Sequence, residues 1–305
     1  MAQNIIILSN YLCSCKNKIY SFRIISIIFG TIIEMKVLNG SELAGYIKER
    51  QSREAQTLIL NHKIIPSLAI ILTVDNPIIN IYVNLKQKYG HDLGIRVQVY
   101  KCDDTNIEKT IQMLNKDSST HAIIIQLPLF DQNLTDKLVN LVDPKKDVDG
   151  LNDNSLYDSA TPLAIMWLLA GYNIELKNKK ILIIGKGKLV GKPLYGLLSK
   201  SELDVEQADR SVKDLKSMTI KSDIIITATG TPALLVPEML KKGAVIVDAG
   251  VASEEGKISG DLDPTVYNRK DLIITPQKGG VGPLTVCALF ENVLKAARLN
   301  IKTEL

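Results

Sequence analysis

Tyr82 and Lys86 are the first residues along the chain whose types and spacing suit chemistry. They stand four positions apart within residues 78–93, a segment with helical spacing, so both side chains are expected on one face of a helix. Burial in a partly apolar cleft destabilises a lysine ammonium, which lowers its pKa and allows proton transfer near neutral pH. The pair therefore suits general acid–base catalysis beside an aromatic ring. A solvated helix face is the alternative, and it is our interpretation of Lys88.

Three further polar side chains are candidates for contacts with a ligand. Gln126 ends the apolar segment 121–125, at the edge where open α/β sheets present groups to a ligand. An ordinary turn residue is the alternative there. Asp147 and Asp149 lie in the sequence KKDVDG. Either they cap a turn or pair with the neighbouring lysines, or one carboxylate accepts hydrogen bonds from a nitrogen heterocycle.

A glycine turn within residues 180–193 (KILIIGKGKLVGKP) predicts a nucleotide-binding βαβ unit. An apolar strand leads into Gly185 and Gly187, and a helix-like segment follows Gly191. Glycine permits a tight turn and the close approach of a pyrophosphate, while free N–H groups at a helix start favour an anion. The spacing GxGxxxG is not the commoner GxGxxG, and Pro193 stands where a P-loop would have serine or threonine. A tight turn without a ligand is the alternative.

The residues after the next strand bear on the choice between NAD and NADP. An acidic residue about 20 positions beyond the glycine turn binds the ribose 2′-hydroxyl of NAD, whereas a nearby arginine accommodates the 2′-phosphate of NADP. Asp209 stands at about that distance, and Arg210 follows it. Together with Lys186 in the turn itself, Arg210 leads us to expect NADP, with NAD as the alternative.

Helices and apolar strands alternate along the chain, which predicts an α/β fold of two domains with a cleft between them. The first domain is expected to hold a parallel sheet and to bind substrate, and the second to be a Rossmann-type dinucleotide-binding domain. The expected helices are residues 41–60, with Ser41 as N-cap, and 78–93, 107–114, 134–141, 163–170 and 284–299. The expected strands are 67–73, 96–100, 121–125, 180–184, 203–207, 223–228, 244–248 and 272–274.

Composition limits the compartment and the partners. The chain has 305 residues and a net charge of +4 without a tract of lysine and arginine, so nucleic acid is not an expected partner. The four cysteines form no CxxC motif and there are only three histidines, which supports neither a zinc site nor a disulfide framework. We therefore expect a reducing, cytoplasmic location.

Residues 1–34 differ in composition from the rest, with no acidic residue before Glu34. The apolar run 25–33 is shorter than the roughly 20 residues that a membrane span needs, and Arg23 limits it, so no membrane association is expected. We predict an extension outside the fold, which would begin at Met35. An organelle-targeting peptide is the alternative.

Nine short motifs occur in one order along the chain, and together they carry a resemblance to a known family. They are YVNLK (82–86), IIIQLPL (123–129), DPKKDVDG (143–150), TPLAIMWLL (161–169), GKGKLVGKP (185–193), ATGTP (228–232), VDAGV (247–251), GD (260–261) and TPQKGGVGPLT (275–285). Over residues 35–299 the chain closely resembles the bifunctional methylenetetrahydrofolate dehydrogenase/methenyltetrahydrofolate cyclohydrolase family.

The resemblance implies a hydride transfer from 5,10-methylenetetrahydrofolate to NADP, followed by hydrolysis of the methenyl product to 10-formyltetrahydrofolate without a metal. In that family's pattern Lys86 is the acid–base of the hydrolysis, and Tyr82 packs on the folate ring. Gln126 hydrogen-bonds beside the reacting centre, and Asp149 anchors the pterin. Further substrate contacts are implied at Gly279 and Pro283.

The resemblance also implies the cofactor contacts, the domains and the assembly. Cofactor contacts are implied at Gly185, Lys186, Gly187, Val190, Gly191, Arg210, Thr229, Gly230 and Val251. The implied domains are a folate-binding catalytic domain at 35–160, completed by the helix 284–299, and an NAD(P)-binding domain at 161–283. A homodimer is expected from the resemblance alone.

Several positions depart from the family's pattern. Ile79 replaces a serine, Ala160 replaces a cysteine, and the loop between Gly150 and Thr161 is short. Gln277-Lys278 replaces Val-Pro, Lys186-Gly187 replaces Arg-Ser, and Asp209-Arg210 replaces His-Ser. The departures leave three alternatives open: a dehydrogenase without hydrolase activity, an NAD-preferring relative, and a non-catalytic protein that binds folate or nucleotide.

Overall fold

The computed structural model describes residues 36–250, 252–254 and 257–301. The expected extension 1–34 and the expected cofactor contact Val251 lie outside these residues. Across the described ranges, no helix is both long enough and apolar enough to cross a membrane.

The first half of the chain builds a three-stranded parallel sheet. Its strands are β2 (Ser67–Leu72), β3 (Arg96–Lys101) and β4 (Ala122–Gln126), in the order β3-β2-β4. All six residues of β2 are buried, because it is the central strand and helices cover both faces. An unbroken apolar run of this kind is what made β2 and β4 predictable from the sequence.

Four helices accompany this sheet: α1 (Gly40–His62), α2 (Pro77–Leu93), α3 (Ile107–Lys116) and α4 (Thr135–Leu141). The prediction of Ser41 as the first N-cap was wrong. Asn39 is extended and its Oδ1 accepts the N–H of Glu42 at 3.3 Å, so the helix begins at Gly40. Gly94 ends α2 in the left-handed conformation (φ 73°), as expected.

The second half of the chain, together with one strand from its start, builds a six-stranded parallel sheet. The strands are β1 (Lys36–Val37), β5 (Ile181–Ile184), β6 (Val205–Ala208), β7 (Ile224–Thr227), β8 (Val245–Asp248) and β11 (Ile273–Ile274). Their order in the sheet is β1-β11-β8-β7-β5-β6. Its helices are α5 (Ala160–Gly171), α6 (Gly191–Ser199), α7 (Leu215–Lys221) and α8 (Val281–Arg298). The fold is therefore α/β with two parallel sheets, as predicted.

Four elements were absent from the sequence-based prediction. Strand β1 has two residues, too few for any periodicity, and it forms only because β11 offers a parallel edge. Helix α7 has seven residues and is capped by Asp214, whose carboxylate accepts the N–H of Ser217 at 3.0 Å. The strands β9 (Ala252–Glu254) and β10 (Lys257–Ser259) form a separate antiparallel pair.

Helix α8 packs against α1 and α5 and joins the two halves into one core. Its Phe290 is fully buried in the same apolar cluster as Ile70 of β2 and Ile181 of β5. The helix starts at Val281, three residues before the expected start, so Pro283 lies in its first turn. The domain limits 35–160 and 161–283 stay a prediction.

Candidate active site

Helix α2 positions Tyr82 and Lys86 at the border between the core and the solvent. Asn76 caps the helix by accepting the N–H of Ile79 at 2.9 Å. Ile79 and Val83 are buried in the core, whereas Tyr82 and Lys86 are half-buried. Because Ile79 packs in the core, its replacement of a serine changes packing there rather than the polarity of an open surface.

Lys86 is held by Gln126 and not by a carboxylate. Its Nζ donates a hydrogen bond of 2.6 Å to Oε1 of Gln126, the last residue of β4. The Gln126 amide nitrogen donates to the main-chain oxygen of Leu127 at 2.9 Å, which fixes the direction of the amide oxygen. The Leu127–Pro128 peptide that follows is cis. Gln126 therefore lies at the carboxyl end of its strand, as predicted, and faces Lys86.

A tightly bonded loop presents Asp149. Asp147 is buried, and its Oδ2 accepts the N–H of Asn152 at 2.8 Å, so this carboxylate closes the turn around Gly150. From outside the loop, the side-chain amide of Asn292 in α8 donates 2.9 Å hydrogen bonds to the carbonyls of Val148 and Asp158. The spacing of the two aspartates alone did not distinguish their roles. In the structure Asp147 accepts the hydrogen bonds that hold the turn, whereas the Asp149 side chain does not take part in them.

Burial shifts the pKa values of Lys86 and Asp149 toward each other, and the attraction between their charges opposes this shift. Burial lowers the pKa of Lys86, while the charge of Asp149 acts in the opposite direction. Burial also raises the pKa of Asp149 to about 6, with Lys86 lowering it and Asp147 raising it further. Burial therefore moves the pKa of each group toward neutral pH, which is the direction that general acid–base catalysis requires.

Tyr82 presents an aromatic ring one helical turn from Lys86. Burial raises the pKa of its phenol, so the hydroxyl stays protonated at neutral pH. The half-buried ring has the amphipathic character of a side chain that packs against a planar ligand.

The glycine loop before α8 is shaped by its contact with α1. The carbonyl of Gly279 accepts the N–H of Ser41 at 3.0 Å, and Gly279 has a positive φ of 82°. A Cβ on Gly40 would lie 1.8 Å from the carbonyl oxygen of Gly280, so these glycines allow two main chains to touch. This contact gives Gly279 a structural use that the sequence alone did not indicate.

Two of the glycines in the dinucleotide-type turn after β5 are required by the fold, whereas the third is not. Gly185 has φ 114°, and a Cβ on Gly191 would lie 2.0 Å from the carbonyl oxygen of Gly185, so the fold itself requires both residues. A Cβ on Gly187 would meet no atom within 4 Å. Helix α6 follows Val190 without a side-chain cap. The N–H of Lys192 donates to the carbonyl of Gly187 at 3.1 Å and Pro193 has no N–H, so the N–H of Gly191 is the one left for an anion at this helix start.

Charged side chains flank this turn on both sides. Lys186 Nζ lies 2.7 Å from Asp209 Oδ2 at the end of β6, while Arg210 is exposed beside it. Lys188 pairs with Asp136 in α4, so an ion pair links the turn to the other half of the molecule. The sequence singled out Lys186 and Arg210 but gave no sign of these pairings.

Asp261 is a functional candidate that the site prediction missed. It is fully buried, and its carboxylate accepts hydrogen bonds from the Thr227 hydroxyl (2.5 Å) and the main-chain N–H groups of Thr229 (2.7 Å) and Thr231 (2.9 Å). It therefore shapes the loop that carries Thr229 and Gly230, two of the expected cofactor contacts. The only signal in the sequence was the GD motif at 260–261.

Beside it, Asp248 accepts the N–H of Gly250 at 2.9 Å. Burial raises the pKa of Asp248 to about 6, and the charge of Asp261 adds to the increase. The fully buried Asp261 and the half-buried Asp248 thus lie close together at the carboxyl ends of β7 and β8.

A cleft of about 320 Å³ lies between the loop after β4 and the glycine turn. It is lined by Leu127, Pro128, Gln132, Thr135 and Leu189. The segment that follows Gln126 and the turn residue Leu189 therefore both line this cleft. Among the described residues, no group of three or more His, Cys, Asp and Glu side chains could hold a metal ion.

A Rossmann-type sheet with a glycine turn shares its core with a smaller parallel sheet, and the helix α2 beside that smaller sheet carries Lys86. This arrangement defines a two-domain dinucleotide-binding protein. The family can be stated more narrowly. The catalytic-domain model of tetrahydrofolate dehydrogenase/cyclohydrolase matches residues 38–149, and the NAD(P)-binding-domain model matches residues 159–301. The chain belongs to the tetrahydrofolate dehydrogenase/cyclohydrolase family.

Individual relatives agree with this assignment. The bifunctional protein FolD of Nitratiruptor is 36% identical over 277 residues, covering 87% of this chain and 98% of its own. The crystal structure of FolD from Campylobacter jejuni is 36% identical with a TM-score of 0.81, covering 87% and 99% of the two chains. The Trypanosoma brucei enzyme, solved with NADP and an inhibitor, is 27% identical with a TM-score of 0.82, covering 88% and 99%.

Proposed function

We propose that the protein oxidises 5,10-methylenetetrahydrofolate to the methenyl form with NADP and hydrolyses that product to 10-formyltetrahydrofolate. The observation that carries the proposal is the Lys86–Gln126 hydrogen bond of 2.6 Å, in a chain that also forms the glycine turn of a Rossmann-type sheet. Family membership supplies the substrate class, and a homodimer in the cytoplasm forms part of the proposal.

For the oxidation, the site needs to hold the nicotinamide ring and the folate ring against each other. The hydride transfer itself requires no acid or base from the protein. Bound NADP supplies the hydride acceptor. The Tyr82 ring would pack on the folate, and the Asp149 carboxylate would accept hydrogen bonds from the N–H groups of the pterin. Loss of the hydride leaves a cationic methenyl bridge, which is electrophilic enough to be attacked by water without a metal.

For the hydrolysis, Lys86 would act as the base and then as the acid. Burial favours its neutral amine, and the positive charge of the methenyl substrate favours it further. Gln126 holds one N–H of the amine, so the nitrogen lone pair can take the proton of the attacking water. The proton then returns to the nitrogen that leaves as the ring opens.

The residues around the turn after β5 suit NADP. Gly187 leaves room for a pyrophosphate, and the N–H of Gly191 at the start of α6 can donate to it. Lys186 and Arg210 are two cations near the expected ribose position. A preference for NADP over NAD is part of the proposal. Asp209 favours the alternative of an NAD-preferring enzyme, since it occupies the position of a ribose-binding acid.

One spectroscopic assay tests the function. The purified protein is mixed with 5,10-methylenetetrahydrofolate and NADP, and the absorbance of the methenyl product is followed as it forms and decays. Formation followed by decay supports both activities, and formation alone would indicate a dehydrogenase without hydrolase activity. No formation with either NADP or NAD would overturn the proposal.

A further inference from the structure

Lys186 and Asp209, which the sequence places on opposite sides of the cofactor question, are paired with each other. Their charged atoms lie 2.7 Å apart, between the glycine turn and the end of β6. In Rossmann-type sites this is the region where the 2′-position of the adenosine ribose is recognised. The cation that would meet a 2′-phosphate is therefore already in contact with a carboxylate.

The carboxylate is fixed in this position by its own neighbours. Oδ1 of Asp209 accepts the N–H of Ser211 at 2.9 Å and its hydroxyl at 2.5 Å. The Gln207 amide donates to the carbonyl of Gly185 at 3.0 Å, which ties the end of β6 to the glycine turn. The hydrogen bond from Lys186, followed by those from Ser211, holds the pKa of Asp209 well below its usual range, so the group is ionised at neutral pH.

We propose that Asp209 is a specificity-determining residue that competes with the 2′-phosphate of NADP for Lys186. The inference rests on the proposed use of a dinucleotide. NAD needs no displacement, because Asp209 can accept the ribose 2′-hydroxyl while it stays paired with Lys186. NADP must draw Lys186 away from a partly exposed, hence weak, ion pair, and its phosphate then lies beside a fixed anion. The exposed Arg210 supplies a second cation, so the preference for NADP survives with a narrow margin.

The test is a set of equilibrium titrations with NADP and with NAD, without folate and without turnover. The variants are Asp209→Asn, which keeps an oxygen for Ser211, and Lys186→Gln. Asp204→Asn is the matched control. Asp204 is exposed just before β6, and its replacement by asparagine removes the same charge as Asp209→Asn does. We expect Asp209→Asn to raise the ratio Kd(NAD)/Kd(NADP) on the order of tenfold, since one like-charge contact with the phosphate is removed. Lys186→Gln should lower the ratio, and the control should leave it unchanged.

Two outcomes would overturn the inference. One is an unchanged or lowered ratio in Asp209→Asn. The other is an equal change of the ratio in Asp204→Asn, which would make the effect one of overall charge. Failure of the parent to bind either dinucleotide would instead overturn the proposed function, so the two failures are distinguishable.

Discussion

Lys86 on helix α2 and Gln126 at the end of strand β4 meet through a single hydrogen bond of 2.6 Å. The lysine is therefore positioned by a neutral amide. Since a carboxylate in the same place would stabilise the ammonium, the amide leaves burial as the dominant influence on the pKa of Lys86.

Replacement of Lys86 by alanine is expected to abolish the hydrolysis of methenyltetrahydrofolate while the protein stays folded. A single acid–base group contributes about 10²–10⁴-fold to a rate. The measurement is the decay of methenyl absorbance. Lys88→Ala is the matched control, because Lys88 lies on the same helix but is exposed and pairs only weakly with Asp92 at 3.3 Å. A parent-like rate in Lys86→Ala would remove Lys86 from its proposed role.

Replacement of Asp149 by asparagine is expected to shift the pH profile of the hydrolysis. The ionised Asp149 raises the pKa of Lys86, so its removal lowers that pKa, and the neutral amine persists to lower pH. The acid limb of kcat should therefore move toward lower pH, whatever happens to substrate affinity. Asp104→Asn, an exposed change of the same charge, should leave the limb in place. A shift toward higher pH in Asp149→Asn would contradict the assignment.

Replacement of Asn292 by alanine is expected to weaken both the fold and the binding of folate. It leaves the carbonyls of Val148 and Asp158 without their side-chain donor, and each buried unsatisfied group costs about 1–3 kcal/mol. Denaturant unfolding should show the loss of stability, and steady-state kinetics should show a higher KM for folate. Asn300→Ala, just beyond the end of α8 and exposed, is the control. An unchanged KM would mean that Asn292 stabilises the loop without positioning Asp149.

Replacement of Asp261 by asparagine is expected to raise the KM for the dinucleotide and to leave the KM for folate near the parent value. An asparagine amide group would place N–H donors against the N–H groups of Thr229 or Thr231, so the loop must shift. Asp263→Asn is the control, because the half-buried Asp263 caps the 3-10 helix Pro264–Asn268 with an oxygen that asparagine retains. Equal effects on the two KM values would indicate a general loss of structure.

The sequence predicted the elements that depend on local patterns. Strands β2 and β4 read as unbroken apolar runs because they are covered on both faces, and Gly94 marked the end of α2. It also placed Gln126 at the carboxyl edge of its sheet. The sequence predicted Ser41 as the cap of α1, whereas the structure uses Asn39, because the choice depends on where β1 ends.

What the sequence could not supply are relationships made by tertiary contacts. The pairing of Lys186 with Asp209 joins two segments whose opposite charges suggested opposite cofactors. Asp261 carries no local pattern that links it to the threonine loop, since its partners lie on other segments that the fold brings to it. Motif spacing predicts which residues take part, but it does not predict which of them bond to each other.

The pairing of β1 with β11 has a consequence for the biosynthesis of the protein. Lys36 lies opposite Ile273, so one edge strand of the six-stranded sheet leaves the ribosome early while its partner leaves among the last described residues. Helix α8, which packs on α1 and α5, emerges later still. A nascent chain can form the β2–β4 sheet at an early stage but must wait for nearly the whole chain before that edge closes. Ribosome-bound chains that end before Leu272 should therefore remain sensitive to protease around β1 and α1.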